Sequence, residues 1–302
     1  MRERKLGILA LAALIVVDLV LIAMALRSGT SGTTAKVAAD VVRPSIATDA
    51  NASANASPSS SSSTAGDTAP ALLTVLNGDD SLLAVKPGAC GFGGASGFVQ
   101  NQATGTTSEV TLPVQVAAAA DSLSNGTDYV VGSSPECADI QFYAKEGDSW
   151  GNGLPLAEIF ALVPRDTGLI ITPQWGVKES PCPAISLTEA PSGNAFVLCR
   201  TGQVQEVTAD GFTERSRLLG GLAIVAGPVN TLYAAAQVSG CNGIALMASA
   251  DTGATWAQRS CISGAAADGS VGIAQRDSSV AVVDSLGKVY RSSDNGTTFL
   301  SS

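Results

Sequence analysis

The chain contains no histidine, and this absence excludes a large part of enzyme chemistry. None of its 302 residues can supply an imidazole to a Ser-His-Asp or Cys-His scheme, or to histidine acid–base catalysis. The six cysteines show no Cys-x-x-Cys spacing, which together with the missing histidine argues against a zinc site. We therefore expect no catalytic residues, no cofactor and no metal in this protein.

Basic residues are also scarce. The chain has 17 Lys and Arg against 26 Asp and Glu, a formal net charge of −9. No basic patch stands out, so nucleic acid and anionic lipid headgroups are not expected partners. Aromatic residues make up only 5% of the chain. No segment with helical periodicity follows the N-terminal region, and short β-type runs between turn residues indicate an all-β domain.

One long apolar run is present, from Leu6 to Leu26, and it is interrupted only by Gly7 and Asp18. It is long enough to cross a bilayer. Three basic residues precede it: Arg2, Arg4 and Lys5. The positive-inside rule then places residues 1–5 in the cytoplasm and the rest outside the cell. The sequence thus predicts a single-pass membrane protein with a transmembrane helix at 6–26 and an extracellular domain.

A cleaved signal peptide is the alternative for this segment, because Ala23-Met24-Ala25 resembles a small-residue cleavage site. The run is longer than the apolar core of most signal peptides, which favours an uncleaved anchor. Residues 27–70 are rich in Ser, Thr, Ala and Asn, and they include the run Ser57–Thr64. We expect them to form a disordered stalk, followed by one domain at 71–302. The Ala-rich, Lys-poor composition is typical of a bacterium with a GC-rich genome.

Two stretches near the C-terminus share one motif, and their aromatic residues lie 43 positions apart. The motif consists of Ser, Asp, Gly, Thr and an aromatic residue: Ser249, Asp251, Gly253, Thr255 and Trp256 in one copy, and Ser292, Asp294, Gly296, Thr298 and Phe299 in the other. Asp and Ser side chains stabilise tight turns, and Gly supplies a position with positive φ. The aromatic ring can pack beneath the hairpin. A period of 40–45 residues is the length of one four-stranded propeller blade.

The motif resembles the Asp-box, or bacterial neuraminidase repeat, of sialidase-like β-propellers. The chain is also similar to the propellers of photosystem II stability factors and their bacterial relatives, over residues 71–302. The resemblance implies a membrane-anchored bacterial member of this group, with the motif at the turn between the third and fourth strands of a blade. It implies an interaction scaffold, and it carries over no functional residue.

Weaker copies support the repeat. They occur at 101–108, 143–150 and 208–213, which places the aromatic slots at about 108, 150, 214, 256 and 299. The gap of 64 between the second and third slots holds extra material. Inner and second strands pair six times: 72–76 with 82–85, 114–118 with 129–131, 159–163 with 169–172, 184–187 with 195–198, 222–225 with 232–235, and 271–274 with 280–283. We predict six blades with the third truncated, and five or seven remain alternatives.

The cysteines are expected to form disulfides, because they would lie outside the membrane. In the blade assignment all six fall on the face opposite the motif turns. Pairing by neighbours predicts three bonds: Cys90–Cys137, Cys182–Cys199 and Cys241–Cys261. Rigid loops lose less entropy on binding, so we expect a protein or glycan partner to bind on this face. The expected surface comprises loops 87–97, 133–139, 173–182 and 236–243, with Trp175 either at its rim or capping the truncated blade.

The resemblance also supplies an enzyme alternative, a divergent glycoside hydrolase of the sialidase type. Such enzymes use an arginine cluster, a Tyr/Glu pair and an Asp. The domain contains seven arginines: Arg165, Arg200, Arg215, Arg217, Arg259, Arg276 and Arg291. None lies near the first blade, where that family carries its first arginine. The four tyrosines fall in or beside predicted strands, as packing residues would: Tyr129, Tyr143, Tyr233 and Tyr290.

Two further sequences have a structural explanation. Asn77-Gly78-Asp79-Asp80 could bind Ca²⁺ but is also a plain hairpin turn. The Gly-rich 90–94 loop lacks the Lys-Ser/Thr ending and the helix of a phosphate-binding loop. The sequence therefore favours a non-enzymatic binding or scaffolding propeller at the cell envelope.

Overall fold

A computed structural model provides the structure of the protein. It describes residues 71–77, 81–91, 93–122, 127–137, 139–147, 149–151, 154–155, 159–163, 166–173 and 175–301. These residues belong to one compact unit, Ser63–Ser302. Within the described part of the chain, no helix is long and apolar enough to cross a membrane. The predicted membrane segment at 6–26 and the predicted stalk at 27–70 lie outside the described residues.

The described residues are all-β and contain 24 strands in six antiparallel sheets that follow one another along the chain. Blade 1 contains β1 (Leu73–Leu76), β2 (Leu82–Lys86), β3 (Ser96–Gln100) and β4 (Thr107–Thr111). Blade 2 contains β5 (Val116–Ser122), β6 (Asp128–Ser133), β7 (Ile140–Glu146), β8 (Ser149–Trp150) and β9 (Leu154–Pro155). Blade 3 contains β10 (Ala161–Val163), β11 (Asp166–Thr172) and β12 (Gly176–Glu179).

The second half of the ring is more regular. Blade 4 contains β13 (Ala184–Glu189), β14 (Ala195–Cys199), β15 (Gln203–Thr208) and β16 (Gly211–Arg217). Blade 5 contains β17 (Gly221–Ala226), β18 (Leu232–Ala236), β19 (Gly243–Ser249) and β20 (Ala257–Ser263). Blade 6 contains β21 (Gly272–Arg276), β22 (Ser279–Val283), β23 (Val289–Ser292) and β24 (Leu300–Ser301).

The six predicted strand pairs are confirmed as the inner two strands of the six blades. The first strand of blade 2 begins at Val116, two residues later than predicted. Blade 3 is truncated, as predicted, because it has three strands. Part of the extra material in the 64-residue gap forms β9, which pairs with β7 at Gln141↔Pro155 and Phe142↔Leu154.

The hydrophobic core lies between adjacent blades. The second strands of blades 1, 2, 4, 5 and 6 are largely buried, and β14 and β18 contain only buried residues. One core cluster joins Phe196 and Leu198 of blade 4 to Leu232 and Ala234 of blade 5. Another joins Leu246 of blade 5 to blade 6. Because both faces of these second strands are covered, β14 and β18 are continuous apolar runs in sequence.

The first and last blades close the ring without exchanging a strand. The amide of Leu72 donates to the carbonyl of Val271 at 3.0 Å, and the amide of Ala71 donates to Ile185 in blade 4 at 2.9 Å. Ala71 is only 4% exposed and packs in the core cluster with Ala223. Residue 71 therefore reaches past blades 6 and 5 toward blade 4, at the end of the channel where the inner strands begin.

Three disulfides form with the predicted partners: Cys90–Cys137, Cys182–Cys199 and Cys241–Cys261. All six cysteines lie on the face defined by the turns after second strands and the connections between blades, which we call the cysteine face. The turns after first and third strands form the opposite face, the motif face. Each bond closes a loop and restricts the unfolded chain, which stabilises the fold by about 2–4 kcal/mol.

Candidate functional site

The two motif copies form hairpin turns with the same hydrogen bonds. In the turn Ser249–Trp256, the Ser249 hydroxyl donates to Asp251 Oδ1 at 2.7 Å and accepts the amide of Gly253 at 2.8 Å. Asp251 then accepts the amide of Thr255 at 2.9 Å and its hydroxyl at 2.7 Å. The turn Ser292–Phe299 repeats these four bonds at 2.6, 2.8, 2.9 and 2.7 Å. We call these two segments the motif turns.

Backbone conformation explains the glycine in each motif turn. Gly253 and Gly296 have φ of 83° and 79°, in the left-handed region that favours glycine. The hydrogen bonds from Thr255 and Ser249 lower the pKa of Asp251 to about 2, so its carboxylate stays ionised. The corresponding bonds from Ser292 and Thr298 hold the pKa of Asp294 well below its usual range. The carboxylates of Asp251 and Asp294 thus accept the hydrogen bonds that stabilise the two turns.

Side chains of the preceding blade bind each motif turn. Arg215 donates from Nη2 to the Thr252 hydroxyl at 2.7 Å, and Arg259 donates from Nη2 to the Thr297 hydroxyl at 3.3 Å. The indole of Trp256 donates to the Ser216 hydroxyl at 3.0 Å. The motif turns therefore connect neighbouring blades and are structural elements.

The weaker copies occupy the same position in their blades, between the third and fourth strands. In blade 2, the Trp150 indole donates to the Thr111 carbonyl of blade 1 at 3.0 Å. In blade 4, the turn at 208–211 receives a bond from Lys178 of blade 3 to the Ala209 carbonyl at 2.8 Å. The link from a turn to the preceding blade thus recurs even where the motif residues have changed.

A cavity of about 170 Å³ occupies the central channel. The inner strands of all six blades line it. Asp121 is the second-last residue of β5 and Glu189 is the last residue of β13, so both carboxylates lie at the mouth on the motif face. The opposite end is where Ala71 crosses toward Ile185. The channel is therefore a pocket with one acidic mouth.

The acidic mouth has unusual electrostatics. Desolvation by partial burial, together with the negative charge of Asp121, raises the pKa of Glu189. Desolvation also raises the pKa of Asp121, although the hydrogen bond from the Ser122 amide opposes it; the charge of Asp128 raises this pKa further and that of Arg276 lowers it. Two carboxylates in this setting can attract a cation or exchange a proton. The sequence prediction did not include either residue, although each is an acidic side chain at the C-terminal end of an inner strand.

Next to this mouth, Asn77 connects blades 1 and 2. Its side-chain amide donates to Asp128 Oδ2 at 3.2 Å, and its carbonyl oxygen accepts the Ser122 hydroxyl at 2.7 Å. Its backbone amide donates to Ser81, which closes the hairpin after β1. Asn77, the first residue of the predicted Asn-Gly-Asp-Asp turn, is thus part of the hairpin between β1 and β2. Its other three residues, 78–80, lie outside the described part of the chain.

Several arginines of the enzyme alternative lie between blades. Arg215 and Arg259 hold the motif turns, and Arg291 donates to the side chain and carbonyl of Gln100 at 3.4 Å, across the junction of blades 6 and 1. Arg276 is the last residue of β21, and its positive charge lowers the pKa of Asp121. Among the described residues that line the central cavity there is no arginine, and Arg165 lies outside the described residues. The four tyrosines are buried in strands, as predicted from their positions.

The cysteine face carries a larger groove, of about 980 Å³, between blades 6 and 1. Phe98, Val110 and Leu112 of blade 1 form one side, and the turn at 284–287 of blade 6 forms the other. Leu286 at that turn is 84% exposed. The groove extends to Ala95 at the end of the predicted 87–97 loop, so one of the four predicted binding loops borders it.

A buried carboxylate fixes the groove turn. Asp284 is 2% exposed, and its Oδ1 accepts the amides of Leu286 at 3.0 Å and Lys288 at 2.9 Å. Its Oδ2 accepts the amide of Ala266 from the preceding connection at 3.2 Å. Because these bonds hold the turn, Leu286 is presented to solvent on a rigid support.

Trp175 also lies on the cysteine face, at the turn between β11 and β12. Its ring meets Phe160 edge-on with centroids 6.0 Å apart, and the Lys178 ammonium lies 5.7 Å from its centroid. It packs against a core cluster shared by blades 3 and 4. This contact favours the second of the two predicted roles, capping of the truncated blade.

No known protein family matches the sequence, and no curated protein matches it. Solved structures with similar folds include YCF48 bound to a D1 peptide, with 14% identity over 78% of this chain and 82% of that chain at a TM-score of 0.42. A puromycin hydrolase has 15% identity over 78% of this chain and 46% of its own chain, at a TM-score of 0.41. A putative 6-phosphogluconolactonase from Bacteroides fragilis has 11% identity over 76% of this chain and 82% of its own chain, at a TM-score of 0.43. The chain thus spans about half the length of the hydrolase.

Proposed function

We propose that this protein is a non-catalytic binding module of the cell envelope, anchored by residues 6–26 and presenting its propeller outside the cell. The groove on the cysteine face is the observation that carries this proposal. It is large enough for several side chains of a partner, and its exposed Leu286 is held by the buried Asp284. Preorganised surfaces lose less entropy when a partner binds.

The groove favours a protein partner. Its apolar residues, Phe98, Val110 and Leu286, lie beside charged Lys86 and Glu109 at the edges. An apolar centre with a polar rim is the usual arrangement of protein–protein interfaces. Three disulfides support an extracytoplasmic location, since such bonds persist in oxidising compartments.

Crosslinking in intact cells tests this proposal. The full chain and a Leu286→Ser variant would be expressed, crosslinked and compared for captured proteins. Leu300→Ser is the control, because Leu300 is also exposed, at 77%, but lies on the outer strand of blade 6. A partner that is captured by the wild type and the control but lost with Leu286→Ser supports the groove. Equal capture by all three would refute it.

A glycoside hydrolase remains the second candidate, because Asp121 and Glu189 provide two carboxylates with raised pKa values at the central pocket. Turnover of fluorogenic sialosides and related glycosides by the purified full chain tests it. Activity that is abolished by both Asp121→Asn and Glu189→Gln would replace the binding proposal.

A further inference from the structure

The outer strand of blade 1, β4, borders the groove on the cysteine face and is open along its outer edge. Its residues read Thr-Ser-Glu-Val-Thr, and all of them except the half-buried Val110 are exposed. Among the described residues, no strand pairs with β4 on the side away from β3. An exposed strand edge of this kind is a template for pairing with another chain.

The hairpin between β3 and β4 determines which backbone groups of β4 point outward. The amide of Asn101 donates to the carbonyl of Thr106 at 3.0 Å, so these two residues form a hydrogen-bonded pair. Because hydrogen-bonded and non-hydrogen-bonded pairs alternate along an antiparallel ladder, Thr107 and Glu109 direct their N–H and C=O groups away from β3. Within the described part of the chain, these four groups have no hydrogen-bond partner. The edge therefore offers two donors and two acceptors to an added strand.

Charged side chains protect the outer strands of other blades against strand addition. Arg215 and Arg217 lie on β16, Arg259 lies on β20, and Lys178 lies on β12. The outer strand of blade 6, β24, has only two residues. In β4 the single charged residue is Glu109, and β-branched residues, which favour strands, occupy three of its five positions. The edge of β4 is thus less protected than those of β12, β16 and β20.

The groove-facing side of blade 1 would continue into an added strand. In the sheet register Ala84 lies opposite Phe98, and Phe98 lies opposite Glu109. All three residues line the groove, so they form one row across its wall. A residue placed opposite Glu109 would extend this row, and the residues two positions before and after it would also face the groove. The exposed Leu286 lies on the other side of the groove.

We propose that β4 binds an extended segment of a protein partner as an antiparallel fifth strand of blade 1, with a basic side chain opposite Glu109 and apolar side chains on either side of it. This inference rests on the proposed binding function of the groove and specifies the partner. Glu109 selects the basic residue, and the net charge of −9 favours a basic partner as a whole. The apolar residues complement Phe98 and Leu286.

Backbone and side chains have separate roles in this arrangement. Hydrogen bonds to Thr107 and Glu109 do not depend on the sequence of the partner, so they contribute affinity, whereas the groove contributes specificity. The Trp150 indole already occupies the outward carbonyl of Thr111, which ends the ladder near the cysteine face. All other pairings of β4 are antiparallel, and antiparallel pairs are the more stable per residue. The added strand requires no rearrangement of the propeller.

A synthetic peptide tests strand addition to the purified full chain. The acetylated and amidated peptide Thr-Val-Thr-Lys-Thr-Val-Thr presents its lysine and both valines on one face of a strand. We expect saturable binding by fluorescence polarisation, and exchange of the Thr107 and Glu109 amides at least roughly tenfold slower at saturation. A peptide with glutamate in place of lysine should bind at least roughly fivefold more weakly. Absence of saturable binding, or unchanged exchange of both amides, would overturn the proposal.

N-methylated peptides provide a matched pair that does not depend on the folding of a protein variant. In an antiparallel pair opposite Glu109, the lysine amide faces β4 and the amide of the preceding threonine faces away. Methylation of the lysine amide should therefore reduce affinity at least roughly tenfold, because a donor is removed at the contact. Methylation of the threonine amide should have a smaller effect. Equal losses, or a larger loss from the threonine methyl group, would contradict the antiparallel pairing.

A proline variant tests the same contact from the side of the protein. Glu109→Pro removes an outward amide of β4 and leaves the ladder with β3 unchanged. Ser263→Pro is the control, because it removes an outward amide at the edge of blade 5. We expect at least roughly tenfold weaker peptide binding for Glu109→Pro alone, with melting temperatures close to that of wild type for both variants. Equal peptide affinity of the two variants would refute strand addition at β4.

Crosslinking in intact cells separates this inference from the proposed function. A partner that is lost with both Leu286→Ser and Glu109→Pro, and captured by Ser263→Pro, supports strand addition. A partner that is lost with Leu286→Ser but captured at the wild-type level by Glu109→Pro would leave the groove function intact and overturn strand addition. Capture by Leu286→Ser at the wild-type level would refute the groove function itself.

Discussion

The hydroxyl of Ser216 in blade 4 donates a hydrogen bond to the carbonyl oxygen of Gly253 in blade 5. Ser260 in blade 5 makes the same bond to Gly296 in blade 6, at 2.7 Å. In each case the donor follows an arginine that binds the same motif turn. The Arg-Ser dipeptide is therefore part of the repeat, although it lies in the blade before the motif it holds.

Removal of either serine hydroxyl should destabilise the fold. Ser216→Ala and Ser260→Ala each leave a glycine carbonyl without this donor, and we expect each to lower the free energy of unfolding by about 1 kcal/mol. The two effects should add, because the sites lie in different blades. Urea titration measures them, with the exposed Ser239→Ala as control. Changes no larger than in the control would show that these bonds do not contribute to stability.

The motif aspartates should make stability depend on pH in the acid range. The pKa of Asp251 is lowered from 3.8 to about 2 on folding, so its contribution is complete above pH 4 and is lost as the pH falls through 2. Asp294 behaves in the same direction. Asp251→Asn with Asp294→Asn should lower the melting temperature at pH 7 and give a flatter pH profile between 4 and 2. A profile parallel to that of wild type would contradict this role.

The acidic mouth should have the opposite pH dependence. Because the pKa of Glu189 is raised on folding from 4.5, its ionisation disfavours the folded state as the pH rises through the folded pKa. Glu189→Gln should therefore raise the melting temperature at pH 7, and the gain should disappear below about pH 4. Glu109→Gln, on the exposed strand β4, serves as control. A variant that is stabilised equally at all pH values would point to a cause other than the charge.

Val229 is in a conformation that valine resists. It has φ of 40° in the hairpin after β17 and is 83% exposed, so packing does not compensate for the strain. Left-handed backbone costs an L-residue roughly 1–2 kcal/mol, and asparagine tolerates it better. We expect Val229→Asn to stabilise the protein by about 1 kcal/mol in thermal unfolding. Leu219→Asn, at an exposed residue without positive φ, should change little; a similar gain there would remove strain as the explanation.

The period of the motif was sufficient to predict the blades, because a repeat of 43 residues constrains strand order and therefore the face of every turn. That constraint is why the cysteine pairs Cys90–Cys137, Cys182–Cys199 and Cys241–Cys261 can be predicted from the sequence. Strand boundaries were less accurate where the chain is rich in alanine. The sequence places the first strand of blade 2 at Val114–Ala118, before its observed start at Val116, because the alanine run gives no clear β pattern.

The candidate sites were harder to predict because they form where distant blades meet. Asp121 and Glu189 are 68 positions apart, and only closure of the ring brings them to one mouth. The groove joins Phe98 of the first blade to Leu286 of the last. No local pattern marks either pair, since turns with acidic or apolar residues are common in β proteins. The loop surface predicted on the cysteine face contributes only its first loop to the groove.

Residue 71 lies beside the ring axis on the side of the cysteine face, where its amide donates to the Ile185 carbonyl. The chain therefore crosses one end of the channel, and the acidic mouth at Asp121 and Glu189 lies at the other end, on the motif face. The groove opens on the cysteine face, so the two sites face opposite sides of the propeller. A partner bound in the groove would leave the acidic mouth accessible, and the two sites can be occupied at the same time.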